Sequence, residues 1–499
     1  MNIVNSKHTL NSDGTFGILS LDLPEPNLDD DYRVNLLVSI DNSGSMGDIC
    51  KDGKTKMDHA KHMLTHLVNF LLQSKKVTGT LSIVVFDHNL NRICVNVPIQ
   101  AKSLLTEIIQ KIEMIQSTGG TDIGQTLYNA NTWYSDVLQN SPNTRNVHIF
   151  MTDGQATYGI ENTEDLLKIP NSSFTTYYVG FGTDHHYPLM RAFGNLKNSD
   201  YYFVESVERA GMVYGEILHR TVYSLRDSIE IHCRGGTLYD YKSNEWSDTL
   251  ILSNVAKGTQ RTIHLKSETT DAIPIISIAI GDIHLDSQFI AKDSEDIPIV
   301  LDSNSITKAE WRQQTLEYLF QCSKYDLLSN EKKQLEDKGN TLMENLKAFM
   351  KSNDMQNDVV LKQLCDDIGI ARSGLSCING QMYIGARQSS CGQQRAYSVV
   401  DLDGMTPMNP HTFSGAWQLP LTTPRKCSSF GENRKKKSKS VPPPLSENYS
   451  PPVLVTPPLP IYTSVSKSHS CYASPSQSLM MEQLSGKFES KNNEEQEQT

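Results

Sequence analysis

Short apolar runs alternate with amphipathic segments between Arg33 and Tyr223. Val34 to Ile40 (VNLLVSI) is a continuous β-rich run, the pattern of a strand buried on both faces of a parallel sheet. From Met57 to Leu72, residues Met57, Ala60, Leu64, Leu67, Val68 and Leu71 recur at three- and four-residue spacing and lay one apolar stripe along a helix. Further strands are predicted at Thr80–Phe86, Val147–Thr152, Thr175–Val179 and Tyr201–Val204, and further helices at Leu104–Ile115, Ile123–Leu138 and Val207–Val222. Strand and helix alternate throughout, so residues 33–223 read as an α/β domain with a doubly wound, mostly parallel sheet.

After Arg226 the texture changes to short β-like runs separated by turn signals: Ser228–His232, Thr249–Leu252, Gln260–Leu265, Pro274–Gly281 and Ile297–Leu301. Residues 226–304 are therefore expected to form a small antiparallel β-domain. Within residues 1–32, His8–Leu23 has its own turn at Ser12–Gly14 and is expected to lend that domain a hairpin. A helical period follows, carried by Trp311, Leu316, Leu319 and Phe320 and then by Leu335, Leu342, Leu346 and Phe349. With the Gly- and Cys-containing stretch Gly369–Tyr397 it defines a helical region over 305–421. Ten of the 21 prolines lie at or beyond Pro424 among many Ser and Thr, so residues 422–499 are expected to be a disordered tail that cannot bury enough apolar surface to offset chain entropy.

Composition sharpens this division. The 499 residues exceed one compact core, at roughly 100 to 200 residues per domain. The net charge of −11 argues against a general nucleic-acid binder, and it is unevenly placed. From Pro424 onward there are ten Lys and Arg against seven Asp and Glu, so the acidity belongs to the body. Nine cysteines, with no C-x-x-C pair, fit neither a disulfide framework nor a zinc ribbon, RING or zinc finger. The N-terminus lacks a signal-peptide pattern and no stretch approaches 18 uninterrupted apolar residues, so no membrane span is expected and the location is read as intracellular and cytoplasmic. The basic cluster 434–439 adds a nuclear-import reading beside that of an ordinary solvated run or an anionic-surface contact.

The candidate chemistry sits at strand ends. Asp41-Asn42-Ser43-Gly44-Ser45, a D-x-S-x-S motif, follows the first buried strand at the carboxyl edge, where open α/β sheets bind ligands. Gly119-Gly120-Thr121-Asp122 lies in a loop between two helices, and Thr152-Asp153-Gly154 ends another strand at the same edge. Asp41, Ser43, Ser45, Thr121 and Asp153 can converge there. They offer hydroxyl and carboxylate oxygens without imidazole or thiolate, a donor set for a hard cation such as Mg²⁺ or Mn²⁺. If the carboxylates act partly through water while the hydroxyls bind directly, the metal stays electrophilic and an open position attracts an outside carboxylate.

These three motifs, in this order and context, resemble the von Willebrand factor type A (vWA) domain, a Rossmann-like fold, with a metal-ion-dependent adhesion site. The resemblance covers about Arg33 to Tyr223 and implies that Asp41, Ser43, Ser45, Thr121 and Asp153 form that site; all five positions match without substitution. It implies an intracellular protein-interaction module in which Mg²⁺ captures an Asp or Glu of a partner protein. Trp311-Arg312, Ser389-Ser390 and Gln393-Gln394-Arg395 more loosely resemble the vwaint region that follows this domain in some eukaryotic proteins, including ones that carry RING or U-box modules. Without a zinc pattern or a spare U-box segment, the chain is expected not to be an enzyme. The alternatives are a non-catalytic, client-presenting component of a ubiquitin-ligase-type assembly, or a metal site of purely structural role.

Other signals are weaker. His185-His186 read as a solvated loop or the rim of the site, since adjacent side chains diverge. Cys377 and Cys391 lack a recognisable base, the nearest in sequence being His411, and read as buried thiols. Asp48, Asp52 and Asp58 fit no EF-hand spacing and read as a solvated acidic insert. Pro457-Pro458-Leu459-Pro460 suits polyproline II, and Thr423, Ser450, Thr456 and Ser474 precede proline as candidates for proline-directed phosphorylation.

Overall fold

The computed structural model describes residues 4–397, except 28–29, 50–52, 141–143, 184, 205–206, 226, 271–272, 292–297, 299–300, 326–330 and 378, together with residues 470–484. Its chain opens on a hairpin, β1 (Asn5–Leu10) and β2 (Phe16–Asp22). The α/β body then runs β3 (Tyr32–Asp41), a 3-10 turn (Gly44–Gly47), α1 (Lys56–Gln73), β4 (Val77–Phe86), β5 (Leu90–Pro98), α2 (Lys102–Glu113), α3 (Ile123–Asn140), β6 (Arg145–Thr152), α4 (Thr163–Leu166), β7 (Thr175–Phe181), α5 (Tyr187–Gly194), β8 (Ser199–Val204) and α6 (Val207–Tyr223). Eight short strands follow: β9 (Ile229–Arg234), β10 (Gly236–Asp240), β11 (Glu245–Ser247), β12 (Thr249–Leu252), β13 (Gln260–Ser267), β14 (Ile275–Ile280), β15 (Ile283–Asp286) and β16 (Gln288–Phe289). Four helices come next, α7 (Ser303–Lys324), α8 (Lys332–Ser352), α9 (Val359–Gly374) and α10 (Gly380–Gln393).

The body is the expected doubly wound sheet, in the order β5-β4-β3-β6-β7-β8. All of its pairings are parallel except β4 with the edge strand β5, which the sequence reading did not separate from the neighbouring loops. β3 is central: Val34, Leu36, Val38 and Ile40 are buried on one face of the sheet and Leu37 on the other, with the polar Asn35 and Ser39 also buried, so the strand reads as a continuous β-rich run. α1 buries the predicted stripe. Its start is set by a capping box in which the Thr55 hydroxyl accepts the Asp58 N–H while the Asp58 carboxylate accepts the Thr55 N–H.

The expected antiparallel domain is two facing sheets, β11-β10-β13-β2-β1-β16 and β12-β9-β14-β15, antiparallel throughout except that β16 joins β1 in parallel, and the N-terminal hairpin enters the first through β2 paired with β13. Leu19, Leu21, Ile263 and Leu265 from one sheet meet Ile229, Ile231, Ile276 and Ile278 from the other in a shared core. β10, β11 and β15 escaped the sequence reading because they are short, and β11 and β15 are also little buried, whereas the run expected at 297–301 falls largely outside the described residues. The stretch Gly369–Tyr397 contributes helix: it contains the end of α9 and the whole of α10.

Part of the expected tail is ordered. Residues 475–484 form a helix with Met480, Met481 and Leu484 buried in the core of the α/β body. Ser474 caps it, its hydroxyl accepting the Gln477 N–H while Gln477 Oε1 accepts the Ser474 N–H, and Pro475 takes the first helical position. A ten-residue helix is marginal alone, so its stability comes from docking, which sequence composition does not report.

Candidate functional site

Asp41 closes β3 in the middle of the sheet, where a strand with parallel neighbours on both sides delivers its last side chain to the carboxyl edge. Its carboxylate is fully buried and accepts the Ser43 N–H at 2.8 Å on Oδ1 and the Thr152 hydroxyl at 2.6 Å on Oδ2. The first bond turns the chain back on itself, and the Ser43 and Ser45 hydroxyls stand 3.1 Å apart. Ser45 Oγ donates to Asp153 Oδ1 at 2.9 Å and so joins the turn after β3 to the end of β6.

Thr121 comes from the loop between α2 and α3. The Gly44 N–H donates to Gly119 O at 3.1 Å and the Thr118 N–H to Asn42 O at 2.7 Å, locking that loop to the turn. The Thr157 hydroxyl accepts the Thr121 N–H at 2.9 Å, and the Thr157 N–H donates back to Thr121 O at 3.0 Å. A Cβ placed on Gly154 would lie 3.6 Å from Thr121 Oγ1 and 3.7 Å from Ser45 Oγ, so glycine keeps the ground between those hydroxyls clear. The structure thus brings Asp41, Ser43, Ser45, Thr121 and Asp153 onto three interlocked loops at one sheet edge.

Burial pushes the Asp41 carboxyl up to about 6; the Thr152 and Ser43 hydrogen bonds oppose the rise and the neighbouring charge of Asp153 adds to it. Two nearby carboxylates with little access to water need a compensating cation. Among the described residues no group of three or more His, Cys, Asp or Glu is placed to hold a metal, so the chemistry on offer here is that of hydroxyls and two carboxylates.

Sequence reasoning missed several supporting residues. Thr152 anchors Asp41, Thr157 anchors Thr121, and Thr118 Oγ1 donates to Asp87 Oδ2 at 2.8 Å beside the same loop. Lys56, the first residue of α1, places Nζ 2.7 Å from Asp153 Oδ2. Thr152 was readable beside Asp153, but no spacing rule points from Lys56 to a carboxylate 97 residues away.

The remaining signals resolve differently. His185 is not a solvated rim residue: it is buried with Nδ1 2.6 Å from Gly182 O and Nε2 2.7 Å from the Tyr201 hydroxyl, its ring packed near Phe203. Cys377 and Cys391 are buried, and burial raises both thiols above their ordinary range. Asp48 and Asp58 are both exposed, as expected of a solvated acidic segment, and Asp58 is in addition the capping-box acid of α1. Asp52, His411, the basic cluster 434–439, the proline motif 457–460 and Thr423, Ser450 and Thr456 fall outside the described residues. Among the described residues no helix is long and apolar enough to cross a membrane.

A mostly parallel sheet covered by helices, with oxygen-bearing side chains gathered at the carboxyl edge of its central strand, defines the class of α/β domain. Residues 35–214 match the family model of the von Willebrand factor type A domain, and the chain carries such a domain. A search of curated proteins returned no match. Among solved structures the chain is similar to a von Willebrand factor type A protein from Catenulispora acidiphila, at 14% identity and TM-score 0.45 over 73% of this chain and 88% of that one. It is similar to the ArnB paralog VWA2 from Sulfolobus acidocaldarius, at 11% identity and TM-score 0.44 over 78% and 97%. A third similarity is to proximal thread matrix protein 1 of the mussel byssus, solved with a zinc-occupied MIDAS motif, at 16% identity and TM-score 0.32 over 41% and 50%. Domains of this family are in general protein-interaction modules, some of them with a metal at the adhesion site.

Proposed function

We propose that this chain is a non-catalytic, intracellular interaction module whose Asp41, Ser43, Ser45, Thr121 and Asp153 hold Mg²⁺ and present it to an Asp or Glu side chain of a partner protein. The observation that carries the reading is the convergence of these five residues, from three segments far apart in sequence, on one largely buried cluster of oxygens. Their donor chemistry fits a hard divalent ion. Ser43, Ser45 and Thr121 would supply neutral oxygens, and Asp41 and Asp153 the charge. The bound ion supplies a short-ranged, oriented attraction for a carboxylate that the acidic body as a whole would repel. Seven free cysteines among the described residues accord with a reducing compartment, and the helical region is read in the same proposal as a vwaint-type extension of the domain.

Isothermal titration of the full chain with Mg²⁺, comparing wild type with Asp41→Ala, tests occupancy. Binding heat in the wild type and none in the variant is expected; identical heats overturn the reading. Capture of a partner that survives EDTA unchanged would separate the interaction from the metal.

A further inference from the structure

The candidate site already contains a cation of its own. Lys56 is the first residue of α1, so its ammonium emerges beside the positive end of the helix dipole, where a lysine is electrostatically disfavoured. Burying an ammonium is also costly, and Lys56 is only 7% exposed. Something specific must hold it there, and the contact is with Asp153: Nζ lies 2.7 Å from Oδ2, with Asp153 itself 1% exposed. Asp48 Oδ2 stands farther off at 4.0 Å on the exposed side. The other oxygen of Asp153 accepts Ser45 Oγ–H, so this carboxylate is divided between a lysine and one of the site's hydroxyls.

We infer that Lys56 is the resident cation of the site: its ammonium compensates Asp153 when no divalent ion is bound and competes with a divalent ion for that carboxylate. This rests on the reading of Asp153 as part of a cation site. The charge count shows the consequence. A divalent ion answers the charges of Asp41 and Asp153 directly, and Lys56 retained beside Asp153, with Asp48 farther off at 4.0 Å, makes the loaded site more positive by one charge than it would be without the lysine. Lys56 therefore weakens the hold on the ion and strengthens the attraction of the loaded site for an anionic side chain, and it lets the domain stay folded without metal.

The test uses the full chain. Mn²⁺ binding is titrated for wild type and Lys56→Met, which keeps the length of the buried stem and removes the charge. Melting in EDTA is measured for these two, for Asp153→Asn and for the double variant. The expected result is Mn²⁺ binding tighter in Lys56→Met by on the order of tenfold, from removal of a like charge a few ångströms from the ion, with a melting temperature in EDTA several degrees below wild type that Mn²⁺ or the added Asp153→Asn restores. Equal Mn²⁺ affinity together with equal melting in EDTA overturns the inference. If neither protein binds Mn²⁺ but Lys56→Met melts early in EDTA and Asp153→Asn rescues it, the resident cation stands and the divalent-ion reading of the site falls.

Discussion

Arg220 of α6 and Asp200 at the start of β8 form a buried ion pair with 3.3 Å between Nη2 and Oδ2. Around it meet all three folded parts of the chain. Asn254 of the antiparallel domain donates from Nδ2 to Asp200 Oδ2 at 3.3 Å, and its backbone oxygen accepts from Arg220 Nε and Nη2. Gln393 of α10 donates to Asp200 and accepts from Arg220 Nη1 at 2.9 Å. Asp200 lies at the amino edge of the parallel sheet, whereas the candidate site lies at the carboxyl edge. This polar cluster lies at the edge opposite the candidate site, while α10 also packs along β8 as far as Phe203 through Tyr383.

Burial pushes the Asp200 carboxyl up, but Arg220, Lys242 and Arg395 together outweigh it and hold the group below the ordinary carboxylate range. A carboxyl lowered on folding contributes stability that is fully present above its unfolded value, about 3.9, and is lost as pH falls through its folded value. Asp200→Asn leaves Arg220 buried without its counter-charge and should cost about 3–5 kcal/mol near neutral pH. Denaturant unfolding from pH 7 down to pH 3 should show that gap narrowing as the wild type loses its contribution.

Thr152→Val should weaken the site without disturbing the sheet. It keeps the shape of the side chain and removes the donor to Asp41 Oδ2. Removing a partner that orients a metal ligand typically costs roughly 10- to 100-fold in metal affinity, and the same change takes the acceptor from the Gly154 N–H beside Asp153. Calorimetric titration measures it, and an unchanged affinity would show that Thr152 does not orient Asp41.

The C-terminal helix is open to a separate test. A Cβ on Gly215 of α6 would come within 2.6 Å of Met481 Cα, backbone that cannot swing aside, so Gly215→Ala should cost about 1–3 kcal/mol by overpacking. Ser474→Ala removes the cap and should cost about 1 kcal/mol. Both should raise amide exchange in residues 475–484 while leaving β3 and β6 protected, and exchange spread equally through the sheet would count against a docked, separable segment.

Much of the α/β domain is legible in the sequence because its signals are local. The continuous β-rich run of β3 follows from burial on both faces, and the stripe of α1 from one helical face packed on the sheet. The five site residues are readable because D-x-S-x-S, G-G-T and T-D-G each stand next to a recognisable strand or helix end. Lys56, Thr157 and the grip around Asp200 are not readable: each is a contact between residues distant in the chain, and its existence depends on which strands lie side by side and in what register. The same holds for residues 475–484, which by composition belong to a proline-rich tail and become a helix against Gly215. By itself, then, the sequence determined the order of strands and helices and the oxygen donors at the strand ends, since periodicity and short motifs act over a few residues. Only the tertiary structure decided that a lysine shares Asp153 with Ser45 and that Arg220 and Asp200 pair at the opposite edge of the sheet, because charge compensation in a buried place depends on distance in space.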